Sequence, residues 1–185
     1  ALAMIMRGTD RIAATLDGLR NISRATETED LVTVDLRQLL QIGVSSINQQ
    51  AIQKSIGVFL SDDNLPTIYG NAAELNQLIS NLLQNALDAS DGSGTIKIDS
   101  EVYSDFIQID FSDDGKGIEK SVRPIVFEPF FTTHLGDHGR GLGLSIGLDI
   151  ARKHGGDLVL VDEVDCTVFR LVLPINQQGG GASVA

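Results

Sequence analysis

Tryptophan is absent from these 185 residues, cysteine occurs once and proline only four times. The single Cys166 cannot form an internal disulfide, and inside the apolar run CTVFRLVLP it reads as a buried structural thiol. No apolar stretch is long enough to span a bilayer. The opening ALAMIM is too short for a signal peptide. Together these features suit the cytoplasm, with a membrane segment in a longer parent protein left open. Positive charge is scarce too: 14 Lys and Arg stand against 25 Asp and Glu, a net charge of −11. Such a surface argues against broad nucleic-acid binding and against docking on anionic lipid, but it leaves room for a local cationic site. What is present is a hydrophobic content of 42%, enough for a core, in a length that suits one domain with a helical extension.

Apolar periodicity sets the order of elements. Ile12, Leu16, Leu19 and Ile22 make a thin stripe on a helix spanning about 6–25, suited to its own domain or to a partner helix. TETED then reads as a linker. Asp35 is placed to cap a second helix, and short strands follow near Val58–Leu60 and Thr67–Tyr69. Asn71 with Glu74 forms a capping box that opens AAELNQLISNLLQNALDA. Strands near Thr95–Val102 and Phe106–Ser112, a helix near Leu142–Lys153 and strands DLVLV and TVFRLVL complete the pattern. The tail QQGGGASVA reads as disordered. The expected fold class is α/β, a two-layer sandwich of helices on one mixed sheet.

Chemistry concentrates in four places. On the Asn71 helix, Asn81, Asn85 and Asp88 line one side at the border of the apolar stripe. Their oxygens suit Mg²⁺, or form an ordinary polar flank. In FSDDGKGIE, Asp113 continues the inward face of Ile107, Ile109 and Phe111, so its carboxylate needs a donor such as an exocyclic amino group. Gly115 and Gly117 would allow a flat base to lie against the backbone, although D-G is also a common turn. FEPFFTT gathers Phe127, Phe130 and Phe131 where they could anchor a mobile loop or simply pack. Finally, HGRGLGLSI opens a helix with Gly139, Gly141 and Gly143, which suits an anion at a helix start. It lacks the G-K-[ST] of a P-loop.

In this order, NLLQNALDA, DDGKGI, FEPFFTT and GRGLGL resemble the N, first glycine, F and second glycine boxes of the bacterial sensor histidine kinases. These belong to the Bergerat-fold ATPase/kinase superfamily, which also includes gyrase-type topoisomerases. The resemblance covers about Val34–Pro174 and implies a mostly antiparallel sheet. The helix ending in LRNISRATETE more weakly resembles the second helix of the kinase dimerisation domain. It thus implies a dimerisation remnant at 1–30, an ATP-binding catalytic domain at 34–175 and a disordered tail at 176–185. Asp113 would hold the adenine amino group, with Gly115, Gly117 and Ile118 beside the base. Asn85 would hold Mg²⁺, with Asn81 and Asp88 nearby. Phe131–Gly139 would be the ATP lid, Gly141 and Gly143 would shape its end around the phosphates, and Phe130, Thr132, Thr133, Arg140, Leu142 and Leu144 would also contact ATP. The implied cofactors are ATP and Mg²⁺. The implied partners are the dimerisation domain of the same kinase and a response-regulator receiver domain, with no nucleic acid.

The chain departs from the family pattern at three points. Asp114 stands where Asn is common, and it is expected to face solvent. His134 stands where a lysine often follows the threonines, leaving Arg140 and Lys116 as candidate phosphate cations. No histidine sits in an acceptor box, so the chain is expected to begin after the phosphoacceptor. The expected function is transfer of the ATP γ-phosphate to a histidine outside this chain. The alternatives are a non-catalytic interaction module with a degenerate site, a gyrase-type ATPase or an anti-sigma-type serine kinase. The gyrase type uses a glutamate where this chain has Asn81. The N-terminal helix alone could hold only a weak homodimer, because half a helical hairpin buries little area.

Overall fold

A computed structural model describes residues 31–175, except 62–63, 91, 134–140 and 162–165. The chain divides into two units, 1–30 and 31–185. The striped N-terminal helix, TETED and the tail from 176 therefore lie outside the described residues.

Strand β1 (Val32–Asp35) runs into helix α1 (Leu36–Gln53), and the Asp35 carboxylate caps it by accepting from the Gln38 N–H at 3.0 Å. β2 (Ile56–Leu60) and β3 (Thr67–Gly70) follow, then helix α2 (Ala72–Ala89). β4 (Gly94–Val102) and β5 (Phe106–Asp113) form an antiparallel pair. A 3₁₀ turn (Arg123–Ile125), helix α3 (Gly143–Lys153), β6 (Asp157–Val161) and β7 (Thr167–Pro174) complete the order. The main sheet runs β2-β4-β5-β7-β6, and β1 and β3 make a separate two-stranded ribbon. Among the described residues only β2 and β4 pair in parallel, which requires a crossover, and the segment carrying α2 supplies it.

Period-2 alternation puts Ile96, Ile98, Ile107, Ile109, Phe111, Leu171 and Leu173 on one buried face. Leu75, Leu78, Ile79, Leu82, Leu83, Ala86 and Leu87 of α2 close over that layer. The opposite face is polar. There the Arg170 guanidinium forks onto Asp110 at 2.8 and 2.7 Å. The result is the expected two-layer sandwich.

Two local expectations are refined. Asn71 does cap α2, accepting from the Ala73 and Glu74 N–H groups at 2.9 and 3.0 Å. Its own N–H, however, donates to His154 Nε2 at 3.0 Å, while Glu74 pairs with Lys153 at 2.9 Å. His154 is buried, and its Nδ1 lies 2.8 Å from the Ile150 carbonyl. Because Nε2 accepts, Nδ1 carries the proton and donates to that carbonyl. A neutral imidazole thus stitches the end of α3 to the start of α2. The second refinement concerns Cys166, a free thiol that is half-buried rather than buried.

Candidate functional site

The alternation of β5 carries Asp113 inward with the core residues, and its carboxylate is only 2% exposed. Burial is the main influence on it and pushes its pKa from 3.8 up to about 6. The Gly115 N–H, which donates to Asp113 Oδ1 at 3.1 Å, opposes that shift. Thr167 opposes it too and faces Asp113 across the β5–β7 register. The Thr167 hydroxyl is buried beside the carboxylate without a hydrogen bond of standard geometry. A buried carboxylate with one recorded backbone donor and an unsatisfied hydroxyl at its side is a set of groups prepared for a polar guest.

The neighbouring carboxylate does something different. Asp114 is exposed, as expected, and its Oδ1 accepts from the Thr95 N–H at 2.8 Å, clasping the start of β4. Two adjacent aspartates coexist because one points into the core and the other binds the sheet.

Glycine matters in two ways in the loop after β5. A Cβ on Gly115 would fall 2.6 Å from the Ala89 carbonyl oxygen, so the loop can lie against the end of α2 only with glycine there. Gly117 has φ +73° and open space where its Cβ would be, the side on which a flat ligand could approach. Ile118 packs against the core, and its carbonyl accepts from Arg123 Nε at 3.1 Å.

The flank of α2 links this loop to α3. Asn81 Nδ2 donates to the Gly143 carbonyl at 3.1 Å, and Gly143 is the first residue of α3. Ala89, two turns further along α2, touches Gly115. Asn85 lies between them, half-buried on the same flank. Asp88 is half-buried as well, but its Oδ1 accepts from Gln84 Nε2 at 3.0 Å. The α3 N-cap, Leu142, makes no side-chain capping bond, so the first N–H groups of the helix are not claimed by its cap residue. Leu142 and Leu144 are half-buried there.

Phe130 and Gly141 are held together. Gly141 has φ +66°, and its carbonyl accepts from the Phe130 N–H at 2.7 Å. A Cβ on Gly141 would meet the Phe130 carbonyl carbon at 2.5 Å. The three phenylalanines do not act alike. Phe127 packs edge-on against Phe169 with ring centroids 6.1 Å apart, whereas Phe130, at φ +68°, is 65% exposed. Thr132 and Thr133 are exposed, as is Lys116. Arg140, His134 and His138 lie outside the described residues.

Two direct contacts, Gly115 to Asp113 and Asn81 to Gly143, thus lie along α2, which connects them through Ala89. Thr167 and His154 were not anticipated as participants. Finding Thr167 requires the β5–β7 register, which no local pattern supplies.

Helices on one face of a mixed sheet, with a buried carboxylate ending the central strand and a glycine-led helix beside it, define a Bergerat-type ATPase domain. Residues 70–177 match the family described as histidine kinase-, DNA gyrase B-, and HSP90-like ATPase, and the chain belongs to that family. The sensor histidine kinase ZraS of Escherichia coli (strain K12) is 32% identical over 178 residues, covering 95% of this chain and 38% of ZraS. A putative sensor protein of Shewanella frigidimarina is 30% identical and is covered over 27% of its length, so the chain spans well under half of these relatives. Among solved structures, the catalytic domain of histidine kinase ThkA superposes with a TM-score of 0.72 at 27% identity, over 80% of this chain and 99% of that one. ThkA in complex with the response regulator protein TrrA shares the fold at 23% identity and a TM-score of 0.73, over 91% of this chain and 49% of that one.

Proposed function

We propose that residues 34–175 are the ATP-binding catalytic domain of a sensor histidine kinase, and that 1–30 belong to its dimerisation region. The domain passes the ATP γ-phosphate to a histidine outside this chain, for relay to a response-regulator receiver domain. The observation that carries the reading is the buried Asp113 carboxylate with the unsatisfied Thr167 hydroxyl beside it. An adenine amino group meets the need of that carboxylate for a donor, and the open side of Gly117 leaves room for the ring.

The phosphates run toward the start of α3, where N–H groups favour an anion. Asn85, with Asn81 beside it, offers an amide oxygen to Mg²⁺. That ion would supply charge neutralisation on the phosphates. Asn81 cannot serve as the water-activating base of a gyrase-type ATPase, because it is an amide whose nitrogen donates to Gly143. His154 cannot be the acceptor, because both ring nitrogens are engaged inside the fold. The relation of ThkA to TrrA supports the receiver domain as partner. The proposed setting is cytoplasmic, within a parent that can be membrane-anchored.

The test is calorimetric titration of ADP and ATP, with and without Mg²⁺, followed by labelling of an added acceptor-histidine domain. Binding strengthened by Mg²⁺, lost in Asp113→Ala and followed by acid-labile phosphohistidine is the expected result. A folded chain that ignores both nucleotides would sink the proposal and favour an interaction module.

A further inference from the structure

Helix α3 runs antiparallel to α2, with a polar contact at each end. At its start, the Gly143 carbonyl accepts from Asn81 Nδ2 at 3.1 Å. At its end, His154 Nε2 accepts from the Asn71 N–H at 3.0 Å. The two anchors on α2 are ten residues apart and those on α3 eleven, spans of about 15 and about 16 Å at helical rise. Because the spans match, the two contacts fix one register between the helices. The surface between them is apolar, with Gly147 in ordinary contact with Leu78 of α2. Apolar burial is non-directional and lets a helix slide or tilt, whereas hydrogen bonds set its position. The two ends differ in firmness. The buried residues of α3 are Gly147, Ile150 and Ala151, in its middle and second half. The buried His154 ring lies against β3, where a Cβ on Gly70 would fall 2.7 Å from its Cδ2. The turn that follows is seated on β7, because a Cβ on Gly156 would collide with the Val172 carbonyl. At the start, Leu142, Gly143, Leu144 and Ser145 are only half-buried, and Leu142 makes no side-chain capping bond.

We propose that His154 is a positioning residue for the phosphate end of the nucleotide. It fixes the end of α3 in the core, and the helix carries that position about 16 Å to Gly143 and the first N–H groups. The inference rests on the nucleotide-binding reading and adds a remote residue to it. Without the imidazole, α3 keeps its apolar contacts but shifts on α2. Its leading N–H groups then meet the phosphates poorly, while Asp113 still holds the base. Binding at the two ends of the nucleotide therefore separates. A residue that merely stabilised the fold would weaken both ends together.

The test follows ADP with Mg²⁺ binding to the full ¹⁵N-labelled chain by NMR. The Gly117 amide reports the base end and the Leu144 amide the phosphate end. His154→Leu removes both ring nitrogens and keeps apolar bulk. It should weaken ADP binding at least about fivefold, as the weakening of one charge-assisted hydrogen bond does. At saturation the Gly117 shift should match that of the parent while the Leu144 shift shrinks. His154→Gln supplies an amide oxygen that can accept from the Asn71 N–H, so affinity and the Leu144 shift should return toward the parent. If the leucine variant does not fold, Gly70→Ala carries the test, because its Cβ displaces the ring without removing it. The same split between the two shifts is expected there. A loss of ADP affinity below about fivefold in folded His154→Leu, shifts that shrink in proportion at both ends, or a glutamine variant no better than the leucine one would overturn the proposal alone. A parent chain in which ADP shifts neither amide would end the nucleotide-binding reading and this proposal with it.

Discussion

A carboxylate buried beside few donors weakens a fold, and Asp113 is such a group. Its pKa is raised from 3.8 to about 6, so ionisation favours the unfolded chain. The contribution of this group to stability should be highest below the unfolded value, fall as pH rises toward 6, and level off above it. The full difference is about 3 kcal/mol for a shift of this size. Asp113→Asn keeps an acceptor for the Gly115 N–H and lacks the ionisation. Its advantage over the parent chain should therefore grow from near nothing at acid pH to a plateau above neutrality. Denaturant midpoints for both chains across that range test this, and a difference between them that does not grow with rising pH would contradict it. Thr167→Val makes the complementary case. Its hydroxyl makes no hydrogen bond of standard geometry, so the substitution should leave stability within about 1 kcal/mol and weaken nucleotide binding. Titration calorimetry and thermal melts on the same protein separate the two effects.

Between elements, one buried imidazole ties the end of α3 to the start of α2. Removing it in His154→Ala leaves the half-buried Asn71 N–H and the Ile150 carbonyl without those partners and opens a cavity, which should cost about 2–5 kcal/mol. Glu74→Ala breaks only a partly exposed ion pair with Lys153 and should cost less than about 1 kcal/mol. Chemical denaturation of the two variants side by side checks the ranking, and equal losses would mean that the imidazole is not the main connection. The same junction shows what was legible in the sequence. Asn71 was readable as a cap because its partners lie two and three residues away. His154 was not, because it meets Asn71 across 83 positions. Asp113 could be placed facing inward from the alternation of β5 alone. Its pairing with Thr167 could not be seen, because register between distant strands is a property of the sheet. The F segment misled for a related reason: three similar rings in one short stretch are split by the positive φ of Phe130 between core and solvent.

For the molecule as a whole, a nucleotide that binds only the folded state must raise its stability. The gain is about 2.7 kcal/mol when free ligand stands at 100 times its dissociation constant. For a chain of this length that means a rise in melting temperature of about 5–10 °C. ADP or ATP with Mg²⁺ should produce this rise in the parent chain. Asp113→Asn presents an amide N–H₂ where the adenine amino group needs an acceptor, so it should melt higher than the parent without ligand and gain little with it. The two curves should therefore converge as nucleotide is added. They would stay apart if Asp113 had no part in binding. A test at lower pH adds a sign that no purely structural role for Asp113 supplies. As pH falls through about 6 the carboxyl takes up a proton, a donor then faces a donor, and the rise caused by nucleotide in the parent chain should shrink. A nucleotide effect that is constant from pH 5 to pH 8 would detach the buried carboxylate from the base and return it to the role of a strained strand end.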